Sequence, residues 1–298
     1  MNPGILYATL AYMVWGLFPL YFRQIADVPA LEVVMHRTVW SLLFVVLLLL
    51  VLKRWAWIGQ VVRQPKVLGA FALSAMLLSS NWLIYVWAVQ NQHVLDASLG
   101  YFILPLVNVT FAYAFLGERP RRGQWMAVGL AALGVVWLTI QTGRLPWVAL
   151  ALALTFGFYG LLRKVAVLGA LEGLTLETMM LTPFALAYLV YGVTQGDSVL
   201  LQGDASAVGW LAIAGPLTAI PLLLFAAGAR RIPMTTLGIL QYVSPSILFL
   251  LSVLVFKEPL QLPRLIGFAL IWGALVVYSL EGLVNSRRVR MVQAVQAG

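Results

Sequence analysis

The stretch Leu99-Gly100-Tyr101-Phe102-Ile103-Leu104-Pro105 is followed, thirteen residues after its proline, by Glu118 in Gly117-Glu118-Arg119-Pro120. The pattern returns later in the chain. Leu237-Gly238 leads to Pro245, and Glu258 of Lys257-Glu258-Pro259 again comes thirteen residues after the proline. Each copy is an apolar run with a Leu-Gly near its start, one internal proline and a charged turn at its end. Only the Gly-to-Pro spacing differs, five residues against seven. Two copies in one chain indicate an internal repeat. Weaker echoes fall in the same order: Trp15-Gly16 with Phe156-Gly157, Glu32-x-x-Met35 with Glu177-x-x-Met180, and Ala88 with Ala226, each twelve residues before its glycine.

Around these stretches the chain is 62% apolar and 10% charged, against about 25% charged in an ordinary soluble domain. Ten apolar runs are separated by short charged or Pro/Gly-rich turns, near residues 4–22, 30–52, 67–90, 97–116, 125–142, 147–163, 174–195, 207–229, 235–256 and 265–283. Most approach the ~20 residues a helix needs to cross a hydrocarbon core. The fold class is therefore an all-α polytopic membrane protein of ten transmembrane helices. It reads as two five-helix repeats, 1–142 and 143–284, with a basic tail at 285–298. Five is odd, so the second repeat is expected to enter the bilayer inverted relative to the first, a plan that places a substrate site near the midplane between the halves. The first run has no basic segment before it and no small-residue cleavage pattern, which points to a retained helix.

The net charge of +9 sits in the turns. Fourteen basic residues fall on one side, among them Lys53, Arg54, Arg119, Arg121, Arg163 and Arg230; four, Arg23, Arg144, Lys257 and Arg264, fall on the other. The positive-inside rule then puts both termini in the cytoplasm. No basic stretch is interleaved with aromatics, so no nucleic-acid partner is expected. The partners expected are a small-molecule substrate and the lipid bilayer, with the chain a monomer or weak homodimer. An enzyme is not expected: there is no His-Glu-x-x-His, no Gly-x-Ser-x-Gly, no cysteine, and the two histidines, His36 and His93, lie apart. No cofactor or metal site and no nucleotide-binding motif is legible, which leaves proton antiport or facilitated diffusion. A lipid flippase or a non-transporting scaffold is the alternative.

Several local stretches carry a family resemblance. They are Ala11-Tyr12 with Trp15-Gly16, Glu32 with His36-Arg37 and Trp40-Ser41, Asn81-Trp82 with Trp87-Ala88-Val89, Ala97-Ser98-Leu99-Gly100-Tyr101-Phe102, Gly117-Glu118-Arg119, Phe158-Tyr159-Gly160, Glu177-Thr178-Met179 and Gln241-Tyr242. With the two five-helix halves, the chain resembles the EamA-type drug/metabolite transporters, and in these stretches their RarD branch, over about residues 4 to 284. The resemblance implies a ten-helix inner-membrane permease exporting a small polar or amphipathic metabolite or drug.

Candidate site residues come from the cost of polar groups in lipid. Pro105 and Pro245 each remove a backbone N–H and free the carbonyl four residues earlier, at Tyr101 and Gln241. Irregular backbone is tolerated at membrane depth only beside protein or a wet cavity, so Tyr101, Asn108, Gln241 and Tyr242 are expected to line one. Arg37 costs ~2.5–3.5 kcal/mol near the bilayer centre on insertion scales and needs an interior job. The expected job is that of a fixed cation for an anionic or strongly dipolar part of the substrate. A five-residue step turns about 140° around a helix, which disfavours pairing of Arg37 with Glu32. Trp15, Asn81 with Trp82, and Tyr159 are expected around an aromatic or amphipathic solute. Glu32, His36 and Glu177 are the candidates for proton coupling or gating. Glu118 and Glu258 are expected to close helix-connecting turns.

Overall fold

Each of the ten apolar runs becomes a helical span of eighteen residues or more, two of them broken within, long and apolar enough to cross a membrane. The computed structural model describes residues 2–91, 94–142, 147–202, 205–255, 257 and 262–297. Among them the elements are α1 Pro3–Gly16, α2 Phe18–Phe22, a 3₁₀ turn Arg23–Ile25, α3 Ala30–Leu52, α4 Trp57–Val61, α5 Pro65–Gln90, α6 Val94–Leu116, α7 Arg122–Thr142, α8 Trp147–Val165, α9 Ala170–Gln195, α10 Val199–Gln202, α11 Ala205–Ala229, α12 Met234–Leu240, α13 Val243–Leu254 and α14 Leu262–Ala297. No strand occurs among the described residues. With no water in hydrocarbon, a helix is the one element that satisfies its backbone within a single segment.

The first span is broken ahead of Pro19, between α1 and α2, and the ninth ahead of Pro245, between α12 and α13. The fourth span, α6, keeps Pro105 inside one continuous helix. The Gln241 carbonyl, which Pro245 deprives of its usual partner, accepts from the Ser244 N–H at 3.1 Å. The two related prolines thus have different backbone outcomes.

The two halves do not pack as separate bundles. α1 lies on α11, α12 and α13; α3 on α9 and α11; α5 on α8 and α9; α6 on α8 and α12; and α7 on α14. Advancing each span by five maps this set of neighbours onto itself: first-on-eighth becomes sixth-on-third, and fourth-on-sixth becomes ninth-on-first. The repeat is therefore carried by packing as well as by sequence. Close approach depends on the two Leu-Gly steps. A Cβ on Gly100 would stand 3.0 Å from the Ala149 carbonyl oxygen, and one on Gly238 2.9 Å from that of Pro105. Small residues let backbones meet where no hydrophobic drive separates helix from lipid.

Side chains sort accordingly. Leu43, Leu47, Leu50 and Val51 of α3 and Phe184 and Val190 of α9 are more than half exposed, as an apolar rim facing hydrocarbon. Inside lie Tyr12, Tyr159, Phe225, Leu174 and Leu237. The count of turn cations needs one correction. Arg163 and Lys164 lie not in a connecting turn but in the last turn of α8, where Arg163 is 1% exposed.

Candidate functional site

Arg37 is the eighth residue of α3, about 10 Å along the helix at 1.5 Å per residue. It is 9% exposed. Its Nε donates to Thr218 Oγ1 of α11 at 2.8 Å. The guanidinium carbon stands 4.9 Å from the Trp82 ring centroid, 5.6 Å from Phe18 and 5.9 Å from Phe22. The phenols of Tyr21, Tyr101 and Tyr85 lie within its electrostatic reach. Tyr85 and Tyr101 meet edge to face at 6.3 Å, and Tyr101 is 39% exposed. Among the described residues no carboxylate comes within 4.0 Å of Arg37, and no acceptor takes its terminal nitrogens. The result is a cation held by one hydroxyl and three rings, with its planar fork left over. A guanidinium fork fits a carboxylate or phosphate through two parallel bonds.

The other expected residues fall into three groups. Trp15 packs with Tyr12, Phe156 and Phe225, and Tyr159 stacks on Phe225 at 6.1 Å, which makes an aromatic cluster at the crossing of α1, α8 and α11. Asn81 of α5 donates from Nδ2 to the Leu152 carbonyl at 2.9 Å and to Thr155 Oγ1 at 3.0 Å, tying α5 to α8. Asn108, Gln241 and Tyr242 lie where α6 crosses the broken ninth span. There Asn108 Nδ2 donates to Gln241 Oε1 at 3.0 Å, and the Tyr242 hydroxyl donates to the Phe102 carbonyl at 3.2 Å. All three are buried. The Tyr12 hydroxyl reaches the same break, donating to the Leu237 carbonyl at 3.1 Å.

The carboxylates sit apart from Arg37. Glu32 Oε1 accepts from Ser198 Oγ at 3.0 Å and from the Val199 N–H at 2.9 Å, at the start of α10. His36 Nε2 is 3.9 Å from the same oxygen and has no hydrogen-bond partner. A cavity of about 200 Å³ opens here, lined by Glu32, Tyr188, Tyr191 and Ser198 among others. Glu177 lies toward the other end, wholly buried, with Ser74 and Arg163 beside it. Glu118 closes more than its own turn. Gly117, at φ 63°, ends α6, and the Glu118 carboxylate accepts from the Met234 and Thr235 N–H groups at 2.7 and 3.0 Å and from Thr235 Oγ1 at 2.9 Å. The first half thereby caps α12 of the second. Glu258 and His93 lie outside the described residues.

Reading along the chain missed Thr218, Ser74, Tyr85, Phe18, Phe22 and Arg163. Thr218 carried a signal, since it is the lone polar side chain between Trp210 and Ala229. Arg163 carried none, because Arg163-Lys164 at the end of an apolar run looks like any turn pair.

Ten helices long and apolar enough to cross a membrane, in two halves that pack interchangeably, define a multi-pass membrane protein. The EamA-like transporter family model matches residues 2–140 and again 145–280. An uncharacterized transporter of Pseudomonas aeruginosa is 46% identical, over 97% of this chain and 97% of that protein. Protein RarD of Escherichia coli K12 is 42% identical over 96% of each chain, and Protein RarD of Streptomyces exfoliatus 45% identical over 96% of this chain and 91% of that one. A crystal structure at 20% identity superimposes with a TM-score of 0.69, over 93% of this chain and 97% of that one, which shows the shared fold. The chain belongs to the EamA-like transporter family and resembles its RarD-named members. It is a membrane transporter.

Proposed function

We propose that this transporter is a permease of the cell inner membrane that exports a small polar or amphipathic metabolite or drug. Both termini face the cytoplasm, the two halves are inverted relative to each other, and alternating access occurs around a site between them. One observation carries the reading: a buried guanidinium with its fork unpaired among the described residues, ringed by Trp82, Phe18 and Phe22. An uncompensated cation in hydrocarbon is costly and marks a binding site or ion path. Arg37 takes the anionic or dipolar end of the solute. Tyr101, with Trp15 and Tyr159 beyond, receives its apolar body. Asn81, Asn108, Gln241 and Tyr242 hold the helices that form the walls. The broken ninth span gives one half a joint at which the wall can bend, as in other discontinuous transporter helices. The halves interleave span by span, so rocking one against the other moves α3 relative to α11, the two helices that Arg37 and Thr218 join.

The test is a thermal-shift screen of small anionic, zwitterionic and cationic solutes on the purified protein. Flux of each hit then follows in liposomes of the pure protein, with and without a pH gradient. Hits confined to cations, or lipid scrambling with no solute flux, would refute the reading and favour a flippase.

A further inference from the structure

A second buried polar cluster lies apart from Arg37, between α5, α8 and α9. Glu177 of α9 is 0% exposed. Its Oε1 accepts from Ser74 Oγ of α5 at 2.5 Å and stands 3.6 Å from Arg163 Nη1 of α8. The Tyr159 hydroxyl lies against the same carboxylate. Four atoms of this group are buried without a partner of good hydrogen-bond geometry: Glu177 Oε2, Tyr159 Oη, Arg163 Nε and Arg163 Nη1. Space for the guanidinium comes from Gly173, one turn before Glu177, where a Cβ would collide with Arg163 Nη1.

This is not a finished salt bridge. A tight charge-assisted N–H···O⁻ bond closes to ~2.7–2.9 Å and leaves few lone pairs or protons idle. Here the pair stands wider, and donors and an acceptor of the same cluster are left idle. Arg163 also does not depend on Glu177 for its position. Its Nη2 donates to the Gly169 and Ala170 carbonyls at 3.4 and 3.0 Å, and Phe71 covers the guanidinium at 5.5 Å. The carboxylate can therefore lose its charge without releasing the arginine.

A cavity of about 210 Å³ lies beside the cluster, lined by Lys66, Ala70, Phe71, Ser74, Arg163 and Val167 among others. Ser74 and Arg163 thus belong both to its wall and to the first contacts of Glu177. Lys66, exposed at the start of α5, places the mouth at the face that carries the basic turns.

We propose that Glu177 is a proton-binding site reached from the basic face through this cavity, with Arg163 as its fixed counter-charge. Water in the cavity delivers the proton. The carboxylate becomes a neutral acid, and the new O–H on Oε2 donates to Tyr159 Oη, so that one proton satisfies two idle atoms. The remaining surroundings of Glu177 do not compete. Just beyond the end of α3 the charges are Lys53 and Arg54, the latter engaged by Glu172 at 2.7 Å; Glu32 and His36 lie toward the other end. α11 has no titratable side chain, and α5 offers Lys66 at the mouth and Tyr85 beside Arg37. The site bears on transport because α5 carries both Ser74 and Trp82, the ring over Arg37, and because Tyr159 joins Glu177 to the aromatic cluster around Trp15.

The proposal rests on the chain being a transporter but not on the reading of Arg37, and its test needs no solute. pH-difference infrared spectroscopy on the full chain in lipid vesicles should show the carbonyl stretch of a protonated buried carboxyl. Glu177→Gln should remove that band, Ser74→Ala should shift its frequency by deleting one hydrogen bond, and Glu172→Gln should leave it in place. A pH jump on a solid-supported membrane, without solute, should give a transient charge displacement that Glu177→Gln abolishes. If Glu177→Gln does not fold, the Ser74→Ala frequency shift in the otherwise intact protein decides. A band that survives Glu177→Gln, a band indifferent to Ser74→Ala, or a chain with no titrating buried carboxyl would each overturn the proposal. A band that survives Glu177→Gln while solute flux is normal would overturn this site alone and leave the transport reading standing.

Discussion

Replacing Arg37 with glutamine separates binding from folding, and the structure sets the scale of each. Among the described residues the guanidinium has one hydrogen bond, to Thr218 at 2.8 Å, and three aromatic faces at 4.9 to 5.9 Å. A hydrogen bond to a charged group contributes about 1.5–3 kcal/mol, and a cation over a ring ~0.5–2 kcal/mol. Against this stands the ~2.5–3.5 kcal/mol that an arginine costs at membrane depth. At the lower ends, about 1.5 kcal/mol for the bond and ~0.5 kcal/mol for each ring, the terms nearly cancel, so Arg37→Gln should leave the yield and melting temperature of the folded protein almost unchanged. Binding has no such offset. Truncating one partner of a buried, hydrogen-bonded charge pair costs ~2–5 kcal/mol, or a loss of roughly 30-fold or more at ~1.4 kcal/mol per decade. The assay is ligand affinity by thermal shift on the purified variant, paired with flux in proteoliposomes. Arg37→Lys keeps the charge without the fork or the Thr218 anchor and should recover only part of the loss. An Arg37→Gln protein that binds and transports like the wild type would refute the anion-site reasoning. One that fails to fold would show that the cation serves structure.

The α6 crossing offers a test of packing. Asn108→Leu or Gln241→Leu alone leaves a buried amide without its 3.0 Å partner and should cost about 1–3 kcal/mol. The double substitution should cost less than the sum, read as thermal unfolding in detergent; strict additivity would mean that the amides act independently. Gly238→Ala forces a Cβ to within 2.9 Å of the Pro105 carbonyl oxygen and should lower thermal stability, whereas Gly129→Ala, with nothing within 4 Å, should not. Equal effects of the two would remove close approach as the role of the Leu-Gly step. Orientation can be read by single-cysteine labelling, because the chain has no cysteine of its own. Asp197→Cys should react with a membrane-impermeant maleimide from the periplasmic side and Gln60→Cys should not; the reverse pattern would invert the topology.

Ten spans and a doubled architecture were legible in the chain because the bilayer filters sequence strongly. Apolar length, the position of charged turns and the thirteen-residue step from Pro105 to Glu118 and from Pro245 to Glu258 are all local quantities. The high cost of Arg37 was legible for the same reason, since the price of a cation in hydrocarbon is set by depth and not by neighbours. The identity of those neighbours was not legible. Thr218 lies 181 residues from Arg37, Glu177 lies 103 from Ser74, and Gln241 lies 133 from Asn108. Between helices whose surfaces are as apolar as the lipid around them, no hydrophobic period marks the face that turns inward. Only the packing of span on span selects the rings that surround Arg37. Packing also turned Arg163 from an apparent turn cation into a buried partner of Glu177: the last turn of α8 points it inward, and Gly173 leaves the space that its guanidinium occupies.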